Sequence, residues 1–251
     1  SRIDEFKNVQ VNALAADNQG LFWLGTNKGI YHQNEDNSFT KYDASEIDKL
    51  QSNDIRFIKI DNNGNVWFAT WGGGISSYNP STENFDYPYY LNYDFYKVHY
   101  NITALDITQN NELYVGTYDG LFYYDIASES VQMLRQEHGL QSSNISAVHV
   151  DDNGTVWVGS DGKGISKSAV DKFVALDLKL NFTPTCFLMM PDQVLWVGTR
   201  SMGLLKIQND SIVRRYTIDD GLLSNLISTL ESDSEENIFV ATNNGMNIIG
   251  K

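Results

Sequence analysis

The sequence predicts an all-β protein, a six-bladed β-propeller of four-stranded antiparallel blades in which the N-terminal strand completes the last blade and closes the ring. A Thr or Ser that ends an apolar run recurs six times, at intervals of 39 to 47 residues. Periods of this length, built from short strands and turns, are typical of propeller blades. The content of fourteen Tyr, twelve Phe and nineteen Gly against four Pro also favours strands and tight turns over helices.

Each copy follows the same rules around that Thr or Ser, which we call the anchor. An aromatic residue stands three positions before it, a Gly or Ala one position before it, and three or four positions after it a Gly leads into an aliphatic residue or Met. We expect the aromatic residue to wedge against the next blade and the later Gly to adopt a positive φ. The six anchors are Thr26, Thr70, Thr117, Ser160, Thr199 and Thr242. Residues 1–251 are therefore predicted to form a single propeller domain.

The fourth copy indicates the order of strands within a blade. NISAVHV is the innermost strand, DDNG a tight turn, TVWVGS the second strand, GISKSAV the third and KFVALDL the outermost. Asp at the first and Gly at the fourth position of the turn are typical of type I turns. The sixth copy has three such strands, and RIDEFKN precedes the first inner strand as outer strands precede later ones. Residues 1–8 are therefore expected to complete the sixth blade and close the ring.

The combined pattern resembles the two-component regulator propeller repeat. In this chain the pattern occurs as SNDIRFIKIDNNGNVWFATWGGGI, SSNISAVHVDDNGTVWVGSDGKGI and SNLISTLESDSEENIFVATNNGM. The segments EHGLQSSNI and DDGLLSNLI are similar to that family's links between blades. The resemblance implies the periplasmic sensor region of a bacterial membrane histidine kinase, often a hybrid kinase of Bacteroidetes that recognises glycan fragments. It also implies further propeller or immunoglobulin-like domains in a longer chain.

The charge balance makes some partners improbable on physical grounds. The chain has 18 Lys and Arg against 32 Asp and Glu, a net charge of −14, which repels phosphate backbones and anionic headgroups. No apolar run approaches the ~18 residues of a membrane span. We expect neither nucleic-acid binding nor direct membrane insertion by this segment. The single cysteine, Cys186, lies in the apolar stretch PTCFLMM and is expected to be inert.

A ligand is expected on the channel face, where the links between blades and the corners between second and third strands emerge. The predicted ligand-binding residues are Trp71, Tyr118, Asp161, Arg200, Asn53 and Asn101. Equivalent positions hold Asn27, Asn144, Asn225 and Asn243. Rings stack on the C–H faces of sugars while amides and charges bind hydroxyls, so this set suits a glycan. Each asparagine has the alternative interpretation of a turn cap.

Signals for catalysis are poor. The histidines show no metal-binding spacing, and GSDGKGIS, DNNGN and DDNGT lack the full phosphate-binding or calcium-binding patterns. The four histidines are His32, His99, His138 and His149. We predict no cofactor, no metal and no catalytic residue, and hence a non-enzymatic sensor domain for a small molecule, an oligosaccharide or a partner domain.

Two alternatives stay open for the function. One is a metal-dependent propeller lyase resembling the streptogramin lyases, for which His99 and His138 lie in links; the other is a protein-interaction scaffold. The link YPYYLNYDFYKVHYN, residues 87–101, is expected to be a packed outer strand in its first half. From Tyr93 to Tyr100 the same link is either strand or an aromatic binding surface.

Overall fold

The computed structural model describes residues 6–88 and 101–250. This part of the chain forms six antiparallel sheets that follow one another in sequence order, which confirms the predicted six-bladed β-propeller class. The chain divides into two compact units, one of Ser1–Thr117 with Phe122–Gln132 and one of Tyr118–Leu121 with Met133–Lys251. That residues 1–251 form a single domain stays a prediction.

The first two sheets and most of the third belong to the first unit. The first sheet contains β1 (Val11–Ala16), β2 (Phe22–Thr26), β3 (Gly29–Gln33) and β4 (Phe39–Tyr42). The second contains β5 (Ile55–Ile60), β6 (Val66–Thr70), β7 (Gly74–Asn79) and β8 (Asn84–Asp86). The third contains β9 (Ile102–Ile107), β10 (Glu112–Thr117), β11 (Gly120–Asp125) and β12 (Ser130–Leu134).

The remaining three sheets belong to the second unit. The fourth sheet contains β13 (Ile145–Val150), β14 (Val156–Ser160), β15 (Gly164–Ser168) and β16 (Phe173–Ala175), as the strand order predicted for the fourth copy requires. The fifth contains β17 (Pro184–Met189), β18 (Leu195–Thr199), β19 (Leu204–Gln208) and β20 (Ser211–Tyr216). The sixth contains β21 (Ile227–Ser232), β22 (Ile238–Thr242) and β23 (Gly245–Ile249).

Two short 3₁₀ helices lie in links between sheets, Gln136–His138 and Ile218–Asp220. Each lies in a link that precedes an inner strand and ends at a glycine with positive φ. Over the same described ranges, the structure contains no helix with the length and apolar character that a membrane span needs.

The predicted closing strand would be the fourth strand of the sixth sheet, which has three strands in the described part of the chain. Residues 1–5, which form most of the proposed closing segment, lie outside the described residues, so this strand stays a prediction. Phe6 of the same segment packs against the first sheet instead, with its ring centroid 5.0 Å from those of both Tyr31 and Phe39.

The aromatic residue of each repeat was predicted to wedge against the next sheet, and the first unit confirms this. Trp23 of the first sheet is 1% exposed. Its ring centroid lies 5.7 Å from that of Phe68 and 5.2 Å from that of Tyr78, both in the second sheet. Burial of such rings is a large part of what holds neighbouring sheets together.

The small residue one position before the anchor makes room for the next inner strand. A Cβ added at Gly159 would lie 2.8 Å from Pro184 Cβ, and one added at Gly198 would lie 2.7 Å from Ile227 Cγ2. Contacts this short are closer than carbon atoms tolerate, so a larger residue would push the next sheet away.

Candidate functional site

In four sheets the anchor closes the corner between the second and third strands. Its hydroxyl donates to the carbonyl of the glycine that begins or directly precedes the third strand. The bonds are Thr26 to Gly29 at 2.7 Å, Thr70 to Gly74 at 2.9 Å, Thr199 to Gly203 at 2.7 Å and Thr242 to Gly245 at 2.8 Å. The corner glycines have positive φ in all six sheets, as predicted. Threonine and glycine therefore fix the corner, and the residue between them that follows the anchor is free to differ.

The residue directly after the anchor is called the corner residue here. Its backbone N–H donates to the carbonyl of the residue that precedes the inner strand of the same sheet. The bonds are Asn27 to Gln10 at 3.1 Å, Trp71 to Asp54 at 2.8 Å, Asp161 to Asn144 at 2.8 Å and Arg200 to Thr183 at 3.0 Å. Corner and incoming link therefore lie together in each of these sheets.

Trp71 is the corner residue of the second sheet, and its side chain is 41% exposed. The carbonyl of Trp71 accepts a hydrogen bond of 2.9 Å from the Ser52 hydroxyl. Asn101 pairs with Trp71 in an isolated antiparallel bridge. The first unit thus brings together two of the predicted site residues, Trp71 and Asn101.

An arginine that the sequence did not single out completes this site. The guanidinium carbon of Arg56 lies 5.4 Å from the centroid of the Trp71 ring, a cation–π distance. Arg56 Nη2 donates to Asp54 Oδ2 at 2.7 Å. Its Nε is buried and finds no hydrogen-bond acceptor among the described residues. The site therefore combines an exposed indole, an ion pair and an unused donor.

Arg56 departs from a regular feature of the repeat. In three sheets the second residue of the inner strand donates to the carbonyl of the first residue of the next inner strand. The bonds are Asn12 to Ile55 at 2.9 Å, Ser146 to Pro184 at 2.7 Å and Thr185 to Ile227 at 2.7 Å. Arg56 occupies this position in the second sheet and pairs with Asp54 and Trp71 instead. Aligning the second residues of the inner strands would have revealed it as the one large cation among them.

Asn53 is held in a structural role on the same link. Its side-chain carbonyl accepts the Ala44 N–H at 2.8 Å, and its amide group donates to Asp43 Oδ1 at 3.0 Å. Lys41, with help from Ser45 and Asn53, holds the pKa of Asp43 well below its usual range. The equivalent Asn225 accepts the Ile218 N–H at 3.0 Å in the same way. These bonds match the interpretation of the link asparagines as turn caps.

The second unit brings Asp161 and Arg200 together, although 39 residues separate them in sequence. Asp161 Oδ1 accepts from Arg200 Nη1 at 3.0 Å and from the Thr183 hydroxyl at 2.7 Å, and Asp161 Oδ2 accepts from Asn144 Nδ2 at 3.2 Å. The corners of the fourth and fifth sheets are therefore linked by one carboxylate, whose bonding capacity is largely used within the protein.

Tyr118 is the corner residue of the third sheet, and its side chain is 54% exposed. The next residue, Asp119, accepts from Arg135 Nη2 at 2.7 Å and, through its carbonyl, from Arg135 Nε at 2.9 Å. Of the six predicted site residues, Trp71, Asn53 and Asn101 belong to the first unit and Tyr118, Asp161 and Arg200 to the second.

The histidine and cysteine side chains that were considered for catalysis lie in surroundings that favour structural roles. His138 Nδ1 accepts the Arg135 N–H at 3.0 Å, so it caps the short helix of its link. Burial raises the pKa of the Cys186 thiol to about 12, as its predicted inertness requires. Across the described ranges, no group of three or more His, Cys, Asp and Glu side chains is placed to hold a metal ion. His99 and most of the aromatic link, residues 89–100, lie outside those ranges.

These sheets, wedges and corners define a β-propeller repeat protein. Residues 5–28, 49–72 and 139–162 match the family model of the two component regulator propeller. This confirms the resemblance that the repeated motifs predicted.

Three solved structures show the same fold. PorZ, a surface component of the type-IX secretion system of Porphyromonas gingivalis, is 22% identical with a TM-score of 0.72 over 94% of this chain and 38% of its own. The extracellular domain of a hybrid two component system of B. thetaiotaomicron is 19% identical with a TM-score of 0.56, over 96% of this chain and 40% of its own. Virginiamycin B lyase of Staphylococcus aureus is 12% identical with a TM-score of 0.63, over 98% of this chain and 85% of its own.

The chain thus spans less than half the length of the first two of these neighbours. At these identities the likeness extends to the fold alone. No curated protein matches the chain.

Proposed function

We propose that this propeller is a non-enzymatic ligand-sensing domain of an extracellular or periplasmic two-component sensor. Its ligand is an oligosaccharide that binds at the corner of the second sheet. The regulator propeller repeats support the sensor class, and the extracellular domains with the same fold support the location. An output module and further propeller or immunoglobulin-like domains would belong to the same polypeptide.

The observation that carries the proposal is the exposed Trp71 ring with the Arg56 guanidinium beside it. An indole that remains solvent-accessible presents an apolar face on which the C–H groups of a pyranose stack. Arg56, Asp54 and Asn101 lie around the ring and supply donors and acceptors for hydroxyl groups.

We also propose the Asp161 and Arg200 pair as a separate candidate contact for an oligosaccharide, within the second unit. Its carboxylate already accepts three bonds within the protein. The contribution of this pair to affinity is therefore expected to be smaller than that of Trp71, because a ligand must compete with bonds that already exist.

Isothermal titration calorimetry against an oligosaccharide library tests the proposal. Trp71→Ala is expected to weaken binding by ~10-fold, because a stacked aromatic contact contributes about 0.5–1.5 kcal/mol beyond the area that it buries, and about 1.4 kcal/mol is a tenfold change in affinity. Arg56→Lys, which keeps the charge and loses the planar donor set, is expected to weaken it less than Arg56→Ala.

Phe22→Ala is the matched control, because Phe22 is exposed to 42% and lies at the end of β2 remote from the corner. It should leave the affinity unchanged. Binding that survives Trp71→Ala, Arg56→Ala and Arg200→Ala would show that the ligand contacts another surface. Turnover of a ligand that is lost in His138→Ala would favour the lyase alternative instead.

A further inference from the structure

A cavity lies between the first and second sheets, at the end of their strands that is opposite the corners. The hairpin turns of both sheets line it, together with Trp23, Tyr78 and other residues of the first unit. Its volume is about 220 Å³, below the range of about 300–1,000 Å³ that is typical of pockets for drug-sized ligands. Trp71 follows the other end of β6, so this cavity is separate from the proposed oligosaccharide site.

The first sheet parts an aspartate and a tryptophan that bond to each other in the second and fourth sheets. Asp61 Oδ2 and Asp151 Oδ2 accept the indole N–H of the wedge six residues later, at 3.1 and 2.9 Å. The first sheet has the same two residue types at this spacing, Asp17 and Trp23. Asp17 Oδ2 lies instead 3.3 Å from His32 Nε2, and the Trp23 N–H bonds to no residue that the structure describes. Both residues line the cavity, so a ligand can use groups that satisfy each other elsewhere.

The two turns that line the cavity also leave amide groups unused. Between the second and third sheets, the turns are joined by a bond of 2.9 Å from the Asn62 N–H to Asn111 Oδ1. Over residues 6–88 and 101–250, no hydrogen bond joins the turn of the first sheet to that of the second. The side-chain amides of Asn18 and Asn63, one from each turn, have no hydrogen-bond partner within these ranges. They are therefore available to a molecule in the cavity.

The charge of the lining favours a cation. The described residues that line the cavity include one carboxylate, that of Asp17, and no lysine or arginine. In the fourth and fifth sheets, Lys167 and Lys206 lie opposite the wedge on the third strand, with their nitrogens 5.6 and 5.3 Å from the wedge centroid. The first sheet has His32 at this position, stacked on Trp23 with a centroid distance of 3.9 Å. It therefore lacks the ammonium group that the fourth and fifth sheets carry.

We propose that this cavity binds a small aliphatic amine in its protonated form. The ammonium group would pair with Asp17 Oδ2 and donate its other N–H groups to the side-chain oxygens of Asn18 and Asn63. The carbon chain would pack against Val66 and Pro80, which contribute apolar surface to the lining. The net charge of −14 attracts such a cation to the protein from a distance.

Other small ligands fit the lining less well. Ca²⁺ takes about 6–8 oxygen ligands and Mg²⁺ demands near-ideal octahedral geometry, whereas a single carboxylate lines this cavity. An anion would be repelled by Asp17, and a neutral alcohol would leave that carboxylate without a counter-charge. The apolar part of the lining, by contrast, suits a ligand that carries both a charge and a carbon chain.

Titration with matched four-carbon probes, followed by NMR, tests the proposal. The probes are butylammonium, 1-butanol and butyrate at one ionic strength, and the reporter is the indole N–H signal of Trp23, assigned by its loss in Trp23→Phe. Butylammonium is expected to shift this signal to saturation, with an affinity at least ~10-fold above those of the other two probes. Asp17→Asn removes the charge at nearly constant shape and should weaken butylammonium binding by at least ~10-fold. Asp151→Asn, the same change in the turn of the fourth sheet, should leave the affinity unchanged.

A second pair of variants covers the case that Asp17→Asn fails to fold. Asn18 is exposed, so Asn18→Asp and Asn18→Lys should fold normally, and they should respectively strengthen and weaken butylammonium binding. Equal affinities for the three probes, tighter binding of 1-butanol, or saturation by CaCl₂ and not by butylammonium would each overturn the proposal. So would an affinity that none of the Asp17 and Asn18 variants changes. Trp71→Ala should leave amine binding intact, so the oligosaccharide proposal can fail without affecting this one.

Discussion

The indole Nε1 of Trp157 donates a hydrogen bond of 2.9 Å to Oδ2 of Asp151, and both side chains are buried. The other oxygen of the same carboxylate accepts the N–H groups of Asn153 at 3.0 Å and Thr155 at 2.9 Å. One side chain thus joins the hairpin turn to the wedge ring. Asp61 and Trp67 repeat the bond at 3.1 Å in the second sheet.

Replacement of Asp151 with Ala should therefore destabilise the fold. Loss of three hydrogen bonds to a charged group, one of them from a buried indole, is expected to lower the free energy of unfolding by about 2–3 kcal/mol. Urea denaturation measures this change in the free energy of unfolding. The neighbouring Asp152 is exposed in the same turn, so Asp152→Ala should change the value by less than ~0.5 kcal/mol. Equal effects of the two variants would contradict a special role for the Trp157 bond.

Truncation of a wedge tests the packing between sheets. Trp157 is 7% exposed and belongs to a buried cluster with Phe187 and Val197 of the fifth sheet. Trp157→Ala is expected to lower the free energy of unfolding by ~3–5 kcal/mol, as large core truncations do. Trp71→Ala removes the same side chain from an exposed corner and should lower it by less than ~1 kcal/mol. A similar loss in both variants would mean that Trp157 does not carry the interface.

The glycines that lie in the corners differ in how strictly they are required. The corner glycine Gly203 has φ of 79°, and a Cβ there would overlap the carbonyl oxygen of Tyr216. Gly162, two residues before the corner glycine of the fourth sheet, has φ of 66° with no atom within 4 Å of such a Cβ. Gly162→Ala should cost about 1–2 kcal/mol from backbone strain alone. Gly203→Ala adds a steric overlap and should lower the melting temperature further, and the opposite order would contradict this account.

The link asparagine Asn53 is expected to affect stability and not ligand affinity. Asn53→Ala removes the bonds to Ala44 and Asp43 and should lower the free energy of unfolding by about 1–2 kcal/mol. Asn243→Ala, at an exposed corner, should have little effect on unfolding. A loss of glycan affinity in Asn53→Ala without loss of stability would return Asn53 to the binding site.

The Cys186 thiol has a pKa raised to about 12 by burial. A free thiol has a pKa of about 8.5, so at pH 8 the native thiol should react with a disulfide reagent ~10³-fold more slowly than in urea. Because the folded state holds the thiol proton more tightly, its contribution to stability is complete below about pH 8.5 and is lost as the pH rises toward 12. Native labelling at the denatured rate would contradict the burial.

The repeat rules predicted much of the fold because they are local. Anchor, wedge and corner glycine lie within a few residues of one another, so Thr199, Trp196 and Gly203 could be assigned from spacing alone. Arg56 was missed because its role depends on contact with the Trp71 ring, which joins the inner strand to the corner of the same sheet. The pairing of Asp161 with Arg200 spans two sheets and needed the register of both.

The prediction of a closed ring also depends on contacts between sheets, which local spacing does not specify. Sequence indicates that each repeat needs a neighbour, but it does not indicate which polypeptide supplies it.

In four sheets the anchor hydroxyl bonds to the corner glycine, and the two set the backbone of the corner without help from the side chain that stands between them. Natural variation at that one position can consequently exchange an amide for an indole, a phenol, a carboxylate or a guanidinium, as Asn27, Trp71, Tyr118, Asp161 and Arg200 illustrate. New specificities can therefore evolve one residue at a time, while the framework that displays them is inherited intact.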